Sequence, residues 1–140
     1  MSSTDRMVLL LSDAREVRDE VLTALRTGGV PCVALGGKLS EAGELLSSCD
    51  DYGRRTPELA LIVADAADEA VACVRDLRAH DPLRVLPIVV LGRSCDPGFY
   101  ECIRHGANAV TPCEHEGGTV SAARATADFW LRHNLRPKEA

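Results

Sequence analysis

Five short runs of hydrocarbon side chains, at residues 8–11, 30–35, 59–64, 86–91 and, more weakly, 107–111, set the limits on how this chain can fold. Each has the length of a strand, and the first four are apolar nearly throughout rather than alternating with polar residues, so they need cover on both faces. Between the runs, apolar residues recur at helical spacing. Val17, Val21, Leu22 and Leu25 mark a first helix, closed by Gly28-Gly29, and Leu39, Ala42, Leu45 and Leu46 mark a second. Ala70, Val71, Val74 and Leu77 trace a third, residues 99–105 a short fourth ending at Gly106, and Val120, Ala123, Ala127, Trp130 and Leu131 a fifth. Gly36-Gly37, the polar segment 47–57 (SSCDDYGRRTP) and residues 92–98 read as turns or loops, and Pro82 closes the third helix. Strand and helix thus alternate five times. Strands buried on both sides and joined by helices require a parallel sheet with helices on both faces, because parallel strands need crossover connections.

A chain of 140 residues is the size of one domain with one core. Net charge is −5 and no run of Lys or Arg occurs, which argues against a nucleic-acid surface, since neutralising phosphates takes clustered cations. No apolar stretch approaches the roughly 20 residues that cross a bilayer. The start, MSSTDRMVLLLSDAREV, has a short apolar core and no cationic head, so a secretory signal is not expected and the cytoplasm is the expected compartment. The cysteines at 32, 49, 73, 95, 102 and 113 include no Cys-x-x-Cys pair. As thiols in a reducing cytosol most of them read as small core residues.

In parallel α/β sheets the chemistry collects at the C-terminal ends of the strands. Here those ends carry Ser12-Asp13, Gly36-Gly37, Asp65 at the close of LALIVADAADE, Gly92, and Pro112-Cys113. There is no Gly-x-Gly-x-x-Gly after the first run, no Walker-type Gly-Lys-Ser/Thr and no nucleophile elbow, so neither nucleotide binding nor an enzyme with a small substrate has support.

Several segments resemble the receiver domains of bacterial two-component signalling. LLLSDAREVRDEVLTALRTGG resembles the receiver's first strand and helix, PELALIV its Pro-Asp-Leu-apolar third strand, DLRAHDPLRVLPIVVL its third-helix end and fourth strand, and GANAV its turn into the fifth strand. ADFWLRHNLRP resembles the last helix of small stand-alone response regulators, a group that includes partners of phytochrome-type histidine kinases. The resemblance covers roughly residues 7–136 of a single domain, 1–140, and implies a flavodoxin/CheY-like (βα)5 fold with strand order 2-1-3-4-5.

A working receiver uses an acid pair after its first strand and an Asp after its third to hold Mg²⁺, and the latter Asp takes the phosphoryl group. A Thr or Ser after the fourth strand and a Lys after the fifth bind the phosphoryl oxygens. Aligned on Val17-Arg18, the acid pair becomes Ser12 and Asp13, so one acid of two survives. Counting from Pro57 without a gap puts the phosphoacceptor on Val63. Asp65 takes the role only if the strand slides by two, which preserves side-chain facing; otherwise it reads as a solvated strand-end acid or a helix N-cap. Gly92 stands at the Thr/Ser position, with Ser94 two residues on. Cys113, followed by Glu114 and His115, stands at the Lys position.

The resemblance therefore implies a degenerate receiver, not an enzyme and without a cofactor, that works by binding a sensor histidine kinase or another signalling protein. Phe129, Trp130 and Leu131 are its candidate interface residues, since three successive residues span about 200° of helix and cannot all face one core. Homodimerisation through the fourth helix, fifth strand and fifth helix is expected from the family. Two alternatives stay open: a phosphorylatable receiver using Asp13 and Asp65 with Mg²⁺, and a thiol or Zn²⁺ sensor using Cys95, Cys113 and His115.

Overall fold

The computed structural model describes residues 6–27, 32–51, 57–81, 85–111 and 118–133. Its order is β1 (Arg6–Leu11), α1 (Arg15–Arg26), β2 (Cys32–Gly37), a 3₁₀ turn (Leu39–Glu41) leading into α2 (Ala42–Asp51), β3 (Leu59–Ala64), α3 (Ala67–Ala79), β4 (Ile88–Gly92), a second 3₁₀ turn (Pro97–Tyr100) leading into the one-turn α4 (Glu101–Arg104), β5 (Ala109–Thr111) and α5 (Gly118–His133). All strand pairs are parallel and the sheet order is β2-β1-β3-β4-β5, as the resemblance implies.

The unbroken apolar runs are explained by two cores, one on each face of the sheet. Leu9 and Leu11 of β1, and Ala60, Ile62 and Ala64 of β3, pack with α2, α3 and Phe99. Val8 and Leu10, and Leu59, Leu61 and Val63, pack with α1 and α5. Successive side chains alternate between faces, and here both faces are covered, so every position is apolar. The helices supply the matching stripes: Val21 and Leu25 on α1, Ala70, Cys73, Val74 and Leu77 on α3, Ala123, Ala127 and Leu131 on α5.

Several boundaries differ from the sequence reading: β5 begins at Ala109 rather than 107, and residues 99–105 divide between a 3₁₀ turn and the short α4. The second strand runs from Cys32 to Gly37 rather than over 30–35, and Gly36 and Gly37 pair with Leu10 and Leu11 instead of turning the chain. They are glycines for lack of room: a Cβ at Gly36 would stand 2.9 Å from Leu22 Cδ1, and one at Gly37 would run into Leu45 Cδ1. Helix α2 continues to Asp51, so half of the segment read as loop is helical. Strand β4 begins at Ile88, not 86, and takes in Gly92, which pairs with Ala64.

The Gly-Ala-Asn turn before β5 has a physical reason. Gly106 adopts φ +117°, and its carbonyl accepts from Arg78 Nε and Nη2 at 3.0 and 2.7 Å. Asn108 Oδ1 accepts from Ile88 N at 2.8 Å and from Arg78 Nη2 at 3.0 Å. Arg78 also donates to Leu86 O and pairs with Asp81, both at 2.7 Å, so one buried guanidinium ties α3 to the chain on both sides of β4.

Candidate functional site

The C-terminal edge of the sheet is where the sequence placed the chemistry. On β1 the pair Leu11–Ile62 is the last rung with β3. Val63 is therefore level with Ser12, and Asp65 stands two residues higher. Val63 is 1% exposed and turned into the α1/α5 core. Asp65 projects beyond the sheet with 67% of its side chain exposed, and its Oδ1 meets Arg93 Nη1 at 3.2 Å. It caps no helix: the N-cap of α3 is Ala66, without a side-chain cap bond, which overturns the N-cap reading of Asp65.

Ser12 and Asp13 are both engaged locally. Ser12 is buried, its Oγ accepts from Ala14 N at 3.3 Å, and its carbonyl accepts from Arg18 Nη1 at 2.6 Å. Asp13 Oδ1 accepts from Leu39 N at 2.9 Å, so this carboxylate secures the entry to α2. A favourable anion at a helix start follows from its free N–H groups and dipole.

Gly92 ends β4 directly above the ring of Phe99. A Cβ there would stand 2.7 Å from Phe99 Cδ2 and 2.8 Å from Cε2. Phe99 is fully buried, on a 3₁₀ turn whose N-cap, Asp96, accepts from Gly98 N at 2.8 Å. No side chain larger than hydrogen fits at position 92 while the ring stays where it is.

Cys95 is exposed in the loop after β4. Cys113, Glu114 and His115 lie outside the described residues, so the thiol or metal grouping with Cys95 does too. Among the described residues no group of three or more His, Cys, Asp or Glu side chains could hold a metal ion. Cys49, Cys73 and Cys102 are buried thiols, as their small-core reading expects. On α5, Leu131 enters the α1/α5 core, Trp130 packs against its edge, and Phe129 is 59% exposed with its ring edge-on to Trp130 at 6.2 Å.

No protein-family model and no curated protein sequence matches the chain. Solved structures do. The phosphorylated cyanobacterial phytochrome response regulator RcpA superposes with TM-score 0.72 at 18% identity, over 96% of this chain and 99% of that one. The Mn²⁺-bound response regulator Rcp1 gives 0.69 at 17%, over 94% and 99%. This chain has the receiver fold. A CheY-like protein (tadZ) from Pseudomonas aeruginosa shares it, with TM-score 0.62 at 17% identity over 90% and 99% of the two chains.

Set on a receiver, the edge keeps one acid of the pair, Asp13, and departs from the family's pattern at Ser12 and Gly92. A hard cation such as Mg²⁺ asks for several free oxygen ligands in near-octahedral geometry. Ser12 replaces one acid, Asp13 is bonded to Leu39 N, and Asp65 faces a guanidinium. This donor set does not fit a Mg²⁺ centre. Gly92 offers no hydroxyl, and Phe99 occupies the space one would need. Sequence reasoning identified Gly92, Asp13 and Asp65 but missed their partners Phe99, Leu39 and Arg93. Arg93 had a usable signal, because it follows the last residue of β4 just as Asp65 follows the last residue of β3.

Proposed function

We propose that the protein is an atypical stand-alone receiver that acts in two-component signalling by binding, without the phosphoryl switch. The observation that carries this reading is the packing of Phe99 on Gly92. A receiver switch needs a hydroxyl that can move toward a phosphoryl group at the end of β4. In this chain the hydroxyl is absent and a buried aromatic ring fills its place. Arg93 supports the same conclusion, since a cation already sits against Asp65.

The partner is a sensor histidine kinase or another signalling protein of the same pathway, and the compartment is the cytoplasm. The match to RcpA, a phytochrome response regulator, supports a kinase partner of that kind. The protein also pairs with itself through α4, β5 and α5. Tyr100 and Ile103 are exposed around α4, and β5 is an edge strand of three residues. Ala109 of β5 and Ala122 and Trp130 of α5 are partly buried against the same core. Apolar residues collected in this way mark association surfaces more often than isolated ones do. Sedimentation velocity tests the dimer: the parent chain sediments as a dimer, and Ile103→Asp combined with Phe129→Asp sediments as a folded monomer. A monomeric parent at 100 µM, or a dimer unaffected by both changes, rejects this surface.

A further inference from the structure

Between the 3₁₀ turn that leads into α2 and helix α3 lies an open groove of about 410 Å³ whose lining includes Asp13, Leu39, Glu69, Ala72, Cys73 and Asp76. Two of the three carboxylates are held in place by backbone donors: Asp13 by Leu39 N and Asp76 by Gly43 N, each at 2.9 Å. Elsewhere Glu58, Asp65 and Asp81 are each matched by an arginine. Among the described residues no Arg or Lys forms an ion pair with Asp13, Glu69 or Asp76; the imidazole of His80 stands 3.7 Å from Asp76. Cys73 lies in the wall, 2% exposed, its thiol without a hydrogen-bond partner among the described residues. Burial first, then the charges of Asp76 and Asp13, push that thiol up to about 12, as expected where negative potential is not compensated.

We infer that this groove is a docking site for an arginine or lysine side chain presented by a partner protein. An aliphatic stem covers Leu39, Ala72 and Cys73, and the cationic head meets the three carboxylates, the arrangement such side chains adopt on amphipathic surfaces. Charge complementarity selects this occupant over an apolar or acidic one. The site excludes Asp65 and Gly92 but shares Asp13 with the phosphorylatable alternative, so it rests on the reading in which Asp13 holds no Mg²⁺.

The test is a two-dimensional ¹H–¹⁵N NMR titration of the full chain with the capped peptide Ac-Leu-Arg-Leu-NH₂, with its citrulline twin as the uncharged probe and with MgCl₂. The arginine peptide is expected to shift the amides of Leu39, Ser40, Ala72 and Cys73, and the citrulline peptide to leave them in place. Glu69→Gln, an exposed change, weakens binding up to about fivefold, the scale of one solvent-exposed ion pair. Ala72→Arg puts a guanidinium beside the groove from within the chain and abolishes the peptide shifts. Equal shifts with both peptides, shifts confined to other surfaces, or saturation of the same amides by Mg²⁺ alone would each overturn the assignment, the last in favour of a cation site.

Discussion

The ring of Phe99 stands where a side chain at position 92 would have to go: a Cβ on Gly92 would lie 2.7 Å from Cδ2. Gly92→Thr therefore forces the ring or the strand to move, and overpacking of this kind costs about 1–3 kcal/mol. Phe99→Ala empties the site and costs about 3–5 kcal/mol. The double variant loses clearly less than the two costs added, because the added threonine occupies part of the vacated space. Urea unfolding of the four proteins measures this coupling. Strict additivity would show that the two positions do not compete for one volume.

Asp13 is predicted to act as a helix cap and not as a metal ligand. Asp13→Ala should lose about 0.5–2 kcal/mol, whereas Asp13→Asn keeps most of the stability, since Asn caps nearly as well. Added MgCl₂ should leave the melting temperature of the parent chain unchanged. A parent stabilised by Mg²⁺, with Asn as damaging as Ala in its presence, would restore the ligand role.

The side chain of Arg78 is 8% exposed and serves Asp81, Leu86, Gly106 and Asn108 together. Replacing it by Met should cost about 3–5 kcal/mol, because the buried Asp81 carboxylate loses its counter-charge. Arg78→Lys should recover only part of this, as an ammonium cannot reach acceptors spread around a planar fork. Equal stability of the Met and parent chains in urea would show the network to be dispensable.

Burial raises the Cys73 thiol to about 12 and the Cys102 thiol to about 11. An unfolded thiol titrates near about 8.5. Between these values the unfolded chain releases protons that the folded chain retains, so stability falls as pH rises through this window and is fully present below it. Cys73→Ala should make the decline between pH 8 and pH 10 shallower than in the parent. Parallel declines would mean that Cys73 is not differentially protonated.

Periodicity was enough to identify five strands, five helices and the parallel sheet, because two-sided burial leaves unbroken apolar runs such as Leu59–Ala64. Two of the errors were at glycines. Gly36 and Gly37 look like a turn in one dimension, yet they are strand residues thinned to admit Leu22 and Leu45, neighbours that only the packed structure brings near. Gly92 carries the same lesson at the site: a missing hydroxyl was visible in the sequence, while the aromatic ring that takes its place was not. Asp13 could be recognised as a lone acid, but its bond to Leu39 N spans 26 positions and depends on how β2 hands the chain to α2.

The central claim is that the receiver fold persists here without receiver chemistry. Its most direct test is intact-mass measurement of the parent chain and Asp65→Ala after incubation with acetyl phosphate and Mg²⁺. The account predicts no added phosphoryl mass in either protein. A phosphoryl-sized gain in the parent that is lost in Asp65→Ala would contradict it and make Asp65 a working phosphoacceptor.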